Sequence, residues 1–232
     1  MRCILNIGNT HTQILILDDA GGRTLTVATD DFSPELIPSG AEIAAACVVE
    51  RLFPVLARLG ARLATPETAS KFVDFSLVDA STLGQDRVAN AVRLAAKAPL
   101  PAVSLDFGTC ITAEVVDAQK RFLGGAIFPG RALARRALNL YTSKLPFVEL
   151  ADELPPGIGA NTAEAIRMGT DAAAIDAVAG FLARVEKMLG RRPTVYACGG
   201  DRAFFLNAPE LAGRMKDGKD NFTLRGVERT FR

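Results

Sequence analysis

NIGNTHT, at residues 6–12, recurs in altered form as DFGTCIT, at residues 106–112, and the two stretches share the pattern (D/N)-x-G-(N/T)-x-x-T. Each stretch lies between two short apolar runs, which is typical of antiparallel strands joined by a polar turn. A glycine directly after a strand lets the backbone approach a ligand closely, and successive N–H groups in such a turn bind anions. The two stretches therefore predict a pair of phosphate-binding turns.

The elements around each turn follow a similar order. In the first half, strands are predicted at 2–7, 13–17, 25–29 and 45–49, with helices at 34–44, 51–60 and 86–97. In the second half, strands are predicted at 102–107, 113–117, 121–130 and 194–200, with helices at 130–141, 161–189 and 222–231. This repetition predicts an α/β fold of two related lobes that close on one polyphosphate.

A lobe boundary is predicted at APLP, residues 98–101, because proline cannot continue the helix before it. Residues 1–99 form the predicted N-terminal lobe, with the first phosphate turn and a GQDR loop. Residues 100–232 form the predicted C-terminal lobe, with the second phosphate turn.

Composition and charge exclude several classes of protein. The 232 residues are 49% hydrophobic and 23% charged, with a net charge of +1, so no nucleic-acid or anionic-membrane partner is expected. No apolar run reaches the roughly 18–20 residues that span a bilayer, and polar residues interrupt the apolar start. We therefore expect a cytoplasmic protein. The four cysteines form no CxxC pair and His11 is the single histidine, so no Cys/His zinc site is predicted.

The candidate nucleotide contacts are the glycine, amide and hydroxyl residues of the turns. Backbone N–H groups and threonine hydroxyls donate to phosphate oxygens. One such turn is also an ordinary hairpin turn, but two at equivalent places favour a ligand. The glycine pair after the strand at 194 is either a third ligand-facing turn or a simple strand-to-helix turn. The candidates are Asn6, Gly8, Asn9, Thr10, Thr12, Gly108, Thr109, Gly199 and Gly200.

Two carboxylates are candidates for chemistry. Asp86 stands at or near the start of a helix, so it is either an N-cap or the carboxylate that receives the proton of an acceptor alcohol. Arg87 either binds a substrate carboxylate or pairs with Asp86. Asp106, at the end of a strand, can hold a cation beside the phosphates.

Seven motifs occur in the order in which they are found in a known family, and this order is far more specific than any one motif. With them, the chain resembles the type III pantothenate kinases, a family that includes the Bvg accessory factor. The motifs are GNTHT (8–12), LGQDRVAN (83–90), LDFGTCIT (105–112), LGGAIFPG (123–130), IGANTAEAIRMG (158–169), CGG (198–200) and FTLRGVERTF (222–231).

The resemblance implies two actin-like lobes of the ribonuclease-H type, each with a mixed five-stranded sheet and helices on both faces. It implies transfer of the γ-phosphoryl group of ATP to pantothenate, the first step of coenzyme A synthesis, by a homodimer that uses Mg²⁺ and a monovalent cation, K⁺ or NH₄⁺. The Ala-rich helix at 163–183 could supply the dimer interface or ordinary core.

The resemblance also implies roles for individual residues. The first turn, from Asn6 to Gln13, and Thr109 would meet ATP, Asp86 would accept the proton, and Asp106 would hold the monovalent cation. The implied pantothenate contacts are Gly84, Gln85, Arg87 and Thr162.

Four residues depart from the family's pattern. Asn6 and His11 stand where the family commonly has Asp and Asn, and Gln85 and Leu77 stand where it has a small residue and Tyr. Because an amide lacks the charge of a carboxylate, Asn6 favours one alternative, a catalytically impaired kinase-fold protein with a regulatory or nucleotide-binding role. Gln85 and Leu77 favour another, a kinase of a different small alcohol.

Overall fold

The first of two mixed sheets lies in the N-terminal half of the chain. The computed structural model describes residues 1–19, 21–154, 157–219 and 221–231. The first sheet has five strands in the order β3-β2-β1-β4-β5. β2 runs antiparallel to both β1 and β3, whereas β4 runs parallel to both β1 and β5. The strands are β1 (Arg2–Ile7), β2 (His11–Asp18), β3 (Gly21–Ala28), β4 (Glu42–Cys47) and β5 (Arg62–Leu63).

The second sheet repeats the first strand for strand. Its order is β10-β9-β6-β7-β8, with β7 antiparallel to β6 and β8, and β9 parallel to β6 and β10. β1 thus corresponds to β6, and each predicted phosphate turn joins the first two strands of its sheet. The strands are β6 (Ala102–Phe107), β7 (Cys110–Val116), β8 (Phe122–Pro129), β9 (Thr194–Cys198) and β10 (Lys216–Asp217).

Helices cover both faces of each sheet, which confirms the predicted α/β fold of two mixed five-stranded sheets. α1 packs on the outer face of the first sheet, and α6 and α7 pack on the outer face of the second. α3 and α8 lie between the sheets. The helices are α1 (Phe53–Arg58), α2 (Pro66–Ala69), α3 (Gln85–Lys97), α4 (Arg131–Leu140), α5 (Thr162–Arg167), α6 (Ala173–Leu189), α7 (Arg202–Leu206) and α8 (Phe222–Thr230), with a π-helical turn at Met168–Ala172 between α5 and α6.

α3 is buried on two sides because its apolar residues recur at helical spacing. Val88 and Val92 are fully buried in the cluster against the second sheet, whereas Ala89 joins the cluster beneath the first. α8 crosses α3 at Gly226, where a Cβ atom would lie 1.9 Å from the carbonyl oxygen of Ala89. The two backbones are therefore in direct contact, and only glycine leaves room for this crossing.

α8 completes the core of the first sheet although it follows the second sheet in the chain. Leu224 and Val227 are fully buried with Ile4, Leu15 and Ala44. A division of the chain between residues 99 and 100 would therefore assign α8 to the second lobe, although α8 packs against the first sheet. The predicted lobe boundary stays a prediction.

The predicted helix at 34–44 is wrong. This segment holds only a 3₁₀ turn at Pro34–Leu36, and β4 begins at Glu42. Pro38 and Gly40 interrupt the helical pattern, and the apolar run after Glu42 is buried on both faces as a parallel strand. The predicted helix at 161–189 is confirmed, with the π-helical turn inside it. Within the described ranges, no helix is both long enough and apolar enough to cross a bilayer.

Candidate active site

A cleft of about 840 Å³ opens between the two hairpin turns. Residues of the first turn, the second turn, the start of α3, the end of β9 and the start of α8 line it. It brings together most of the site residues that were predicted from the sequence. Those that line the cleft are Asn6, Gly8, Asn9, Thr10, Gln13, Asp86, Asp106, Gly108, Thr109, Gly199 and Gly200.

Each hairpin turn is closed by the N–H of its glycine, which bonds a carbonyl three residues on in the first turn and two residues on in the second. The N–H of Gly8 donates to the carbonyl of His11, and the N–H of Gly108 donates to the carbonyl of Cys110, each over 3.0 Å. The turns also touch one another, because the hydroxyls of Thr10 and Thr109 lie 2.8 Å apart. The geometry places two similar sets of small donors on opposite walls of one cleft.

Asn6 ends β1 with its side chain at the cleft. Its amide nitrogen donates to Oε1 of Gln13, 3.4 Å away, across the antiparallel pair of β1 and β2. Thr12, by contrast, does not line the cleft. It is fully buried, and its hydroxyl lies 3.1 Å from that of Thr29, which in turn donates to the carbonyl of Gly8. Thr12 thus supports the first turn from behind.

Asp86 is the second residue of α3, and the N-cap of that helix is Gly84. The N-cap interpretation of Asp86 is therefore wrong. Its Oδ1 accepts the N–H of Arg87 over 2.8 Å. Burial raises the pKa of this carboxyl, and the N–H and charge of Arg87 only partly oppose that rise. A carboxylate with a raised pKa in a cleft is suited to receive a proton.

Asp106 is the penultimate residue of β6 and also lines the cleft. Burial, and then the charge of Asp86, raise the pKa of Asp106 to about 6. The hydroxyl oxygen of Thr223, from the start of α8, lies 3.5 Å from its Oδ2. The two carboxylates therefore disfavour each other's ionisation across the cleft.

These donors fit a cation that is shared with phosphate. Within the parts of the chain that the structure describes, no group of three or more His, Cys, Asp or Glu side chains is placed to hold a metal ion. The cleft instead offers Asp86, Asp106 and the Asn6 amide. Magnesium takes many of its ligands from substrate phosphates and water. A cation beside Asp86 and Asp106 would also offset the repulsion between their two negative charges. The donor set therefore suits a cation that enters with the nucleotide better than an all-protein cage.

Four predicted pantothenate contacts do not line this cleft. Gly84 and Gln85 begin α3 behind Asp86, and Oε1 of Gln85 accepts the N–H of Cys47 over 3.0 Å, which ties the helix to the end of β4. Thr162 is exposed at the first position of α5. The fourth, Arg87, points towards the second sheet.

Arg87 pairs with Glu114, a residue that the sequence reasoning missed. The Nε–Glu114 Oε1 distance is 3.1 Å, and Glu114 is fully buried in the middle of β7. The proposed pairing of the Arg87 guanidinium with Asp86 is therefore not what the structure shows. The signal was present in the sequence, because an acidic residue inside an apolar strand needs a partner.

Another group of missed residues comes from the segment before and at the start of α8. These residues reach the cleft only because α8 returns to the first sheet, and no local pattern marks them. They are Lys219, Asn221, Phe222 and Thr223.

Residues 3–184 match the sequence model of a family described as type III pantothenate kinase. The chain belongs to this family. Type III pantothenate kinases are phosphotransferases by name, and the cleft between two matching turns agrees with that class of reaction.

Three curated type III pantothenate kinases show how similar the relatives are. The protein from Akkermansia muciniphila is 38% identical over 62% of this chain and 58% of its own length. That from Desulfatibacillum aliphaticivorans is 27% identical over 100% of this chain and 98% of its own length. That from Caulobacter vibrioides is 32% identical over 72% of this chain and 63% of its own length. The chain thus aligns with only about 60% of the length of two of these three relatives.

Two solved structures share the fold of this type III pantothenate kinase family member. A conserved Campylobacter jejuni protein assigned to the Baf family of transcriptional activators has a TM-score of 0.67 and 19% identity, over 99% of this chain and 96% of that one. Ethanolamine utilization protein EutJ from Carboxydothermus hydrogenoformans has a TM-score of 0.55 and 15% identity, over 97% of this chain and 88% of that one. At these identities the likeness concerns the fold alone.

Proposed function

We propose that this chain transfers the γ-phosphoryl group of ATP to pantothenate and forms 4′-phosphopantothenate, the first step of coenzyme A synthesis. The observation that carries the proposal is the meeting of Gly8, Gly108 and Asp86 around one cleft. Two donor-rich turns suit a triphosphate, and a carboxylate with a raised pKa at the start of α3 suits an alcohol. Membership of the type III pantothenate kinase family supports the choice of acceptor.

In this mechanism the turns bind and orient the triphosphate. The N–H groups and hydroxyls around Gly8, Thr10, Gly108 and Thr109 donate to phosphate oxygens, and Gly199 and Gly200 approach the nucleotide from the end of β9. Phosphoryl transfer needs little covalent chemistry from the protein, so positioning supplies most of the catalysis.

Asp86 orients the acceptor hydroxyl and receives its proton at a carboxylate oxygen. Its position at the start of α3 places it opposite the second turn. Because burial raises its pKa, the carboxylate is a stronger base than an exposed one. Gly84, Gln85, Arg87 and Thr162 lie outside the cleft lining, and we propose that they contact the acceptor beyond its hydroxyl end.

Asp106 would hold K⁺ or NH₄⁺, and the cleft residues together with the nucleotide would hold Mg²⁺. When bound, these cations neutralise charge that develops on the transferred group. Asn6 contributes an amide oxygen where a carboxylate would add charge.

We further propose that the chain acts as a homodimer in the cytoplasm. Leu140 at the end of α4, and Tyr141 and Ile158 between α4 and α5, are 74%, 82% and 90% exposed. Large exposed apolar side chains support a protein interface. Light scattering that gives a mass near twice 24.6 kDa would agree with the dimer, and a mass near 24.6 kDa would contradict it.

A coupled assay with ATP, Mg²⁺, K⁺ and pantothenate tests the reaction. Substitution Asp86→Asn is expected to lower turnover about 100-fold or more, because it removes the proton acceptor. Its affinity for ATP, measured by calorimetry, is expected to change little. Glu67→Gln, in the exposed helix α2, is the matched control and retains full activity. Equal rates of the Asp86→Asn variant and the unaltered chain would reject the proposal.

Asn6 favours a second candidate function, that of a nucleotide-binding or regulatory protein without turnover. Calorimetric ATP binding without phosphorylation of any acceptor would support this function. The exposed side chain of Leu77, at 55%, favours a third candidate, a different small alcohol as acceptor. A panel of hydroxy acids and simple alcohols separates this candidate from pantothenate.

A further inference from the structure

We infer that Glu114 is a positioning residue that fixes the guanidinium of Arg87 for the carboxylate of the acceptor, and so sets the preference for an acidic alcohol. The inference rests on the proposed function, because it needs Arg87 on the acceptor's side of the site. The inference links Glu114, in the second sheet, to the GQDR segment at residues 84–87, in the first half of the chain.

Glu114 holds a complete set of donors although it is fully buried. Its Oε1 accepts from Nε of Arg87 over 3.1 Å. Its Oε2 accepts from the hydroxyl of Ser104 over 2.8 Å and from the amide of Asn90 over 3.3 Å. α3 supplies Arg87 and Asn90, and β6 supplies Ser104. The carboxylate therefore has one fixed orientation, and it transmits that orientation to Arg87.

Arg87 is held at a second point by the backbone of the same strand. Its Nη2 donates to the carbonyl of Ala113 over 3.2 Å. Gly125 lies opposite Glu114 in the register of β7 and β8, and a Cβ atom there would lie 1.6 Å from the Ala113 oxygen and 3.0 Å from Nη2. The guanidinium thus lies in a space that the strand pair keeps open with a glycine.

This arrangement leaves some N–H groups of the Arg87 guanidinium for a ligand. A guanidinium has five N–H donors in one plane, and Glu114 and Ala113 engage it through Nε and Nη2. The Arg87 side chain keeps 17% exposure, so it is not sealed in the core. Arg87 follows Asp86 in α3, so the fork and the proton acceptor share one rigid helical turn. A planar guanidinium that is already held in one orientation binds a carboxylate better than a mobile arginine side chain does.

Substitution Glu114→Gln tests the inference in the full chain with two acceptors. One is pantothenate, and the other is its neutral analogue with a hydroxymethyl group in place of the carboxylate. We expect KM for pantothenate to rise about tenfold, with KM for the neutral analogue unchanged within twofold. A purely structural role would affect both acceptors equally, and that result would overturn the inference.

A double-mutant cycle with Arg87→Gln supplies the second arm. Because Glu114 acts through Arg87, the double variant is expected to lose no more selectivity than Arg87→Gln alone. Losses that simply add would overturn the inference. Ser104→Ala is the substitute variant if Glu114→Gln does not fold. It removes one hydrogen-bond donor to Glu114 and keeps the charges of Glu114 and Arg87. It is expected to raise KM for pantothenate two- to threefold without changing KM for the analogue, and equal effects on both would overturn the inference.

The same experiment separates this inference from the proposed function. If the unaltered chain binds pantothenate without phosphorylating it, the proposed function fails, and calorimetric affinities of the two acceptors then replace KM in every comparison. If the unaltered chain neither binds nor phosphorylates pantothenate, both fail. If it is active but Glu114→Gln leaves the ratio of the two KM values unchanged, only the inference fails.

Discussion

Asn6 lines the cleft, and replacing it with Asp would change the charge of the cleft without changing the size of the side chain. Its amide faces the same cleft as Asp86 and Asp106. A carboxylate at this position would add a third negative charge beside the cation that enters with the nucleotide. We therefore expect this residue to influence how strongly the proposed reaction depends on Mg²⁺.

Asn6→Asp is expected to lower the Mg²⁺ concentration for half-maximal rate several-fold, because an added carboxylate attracts the cation. The rate is measured against Mg²⁺ at fixed ATP and pantothenate. Asn207→Asp, exposed at the end of α7, is the matched control and is expected to leave the Mg²⁺ dependence unchanged. An unchanged Mg²⁺ dependence for Asn6→Asp would contradict the role of this position.

The buried carboxyls predict how stability depends on pH in the absence of cations. Burial raises the pKa of Asp106 to about 6 and that of Glu114 to about 7, above the ordinary values of 3.8 and 4.5. The folded state therefore holds more protons than the unfolded state between about pH 4 and 7. The free energy of unfolding falls as pH rises through that window, by at most about 3 kcal/mol for Asp106.

Thermal unfolding between pH 4 and 7, with and without K⁺ and Mg²⁺, measures this effect. The cations favour the ionised carboxylates and are expected to flatten the decline above pH 6. Asp106→Asn removes one of the titrating groups and is expected to reduce the slope. A melting temperature that rises steadily across the window without cations would show that these carboxyls are not destabilised by burial.

The site was predictable from the sequence only where one local pattern carries it. The spacing of glycine and threonine marks Gly8, Thr10, Gly108 and Thr109, because a turn and its donors lie within a few residues. Thr223 lines the cleft from the start of α8, and Glu114 pairs with Arg87 of α3, so their placement depends on contacts between elements that are far apart in the chain. Thr12 fits the local pattern but is buried against Thr29, a contact that depends on β3.

At the scale of elements, the contact of α3 with α8 is what joins the two sheets. α3 carries Asp86 at its start, and α8 carries Thr223, which donates to Asn90 of α3 over 2.8 Å and contacts Asp106. A shift of α8 along α3 would therefore move donors at the cleft floor as well as core side chains.

Gly226→Ala is expected to destabilise the fold by about 2–3 kcal/mol, because its Cβ atom would lie 1.9 Å from a backbone oxygen of α3. Chemical denaturation measures the loss. Gly180→Ala in α6 is the matched control, since nothing lies within 4 Å of its added Cβ atom. The control is expected to gain about 0.5–1 kcal/mol from helix propensity. Equal effects of both substitutions would show that the helix crossing is not tight.

The elements themselves differ in how far the sequence predicts them. Helix 86–97 and the strands around both turns were predictable because their apolar residues keep a regular period. The end of the predicted helix at 34–44 is instead the start of β4, whose successive residues are buried on opposite faces, Ile43 in the cluster with α1 and Ala44 in the cluster with α8. In such a fully covered strand the alternation that marks a strand disappears.

At the scale of the whole molecule, the two sheets repeat one strand order but do not form two separate cores. The cluster beneath the first sheet takes residues from β1, β2 and β4 and also from α3 and α8. The predicted N-terminal lobe, residues 1–99, would therefore lack part of its own core.

A fragment of residues 1–99 is expected to show no cooperative unfolding transition, because the side chains that α8 covers would be exposed. In the full chain, Leu224→Ala is expected to cost about 2–5 kcal/mol, since this leucine is fully buried between α8 and the first sheet. Circular dichroism during thermal unfolding measures both. A fragment that unfolds with a sharp transition would show that the first lobe is complete without α8.

The return of α8 to the first sheet has a consequence for synthesis on the ribosome. β1, β2 and β4 leave the exit tunnel first, but the helix that covers Ile4 and Ala44 begins only at Phe222. During most of translation this apolar surface has no permanent cover, and nascent chains in that condition are prone to aggregate or to engage chaperones. The first sheet therefore completes its folding only after α8 has been made, however early its strands begin to pair.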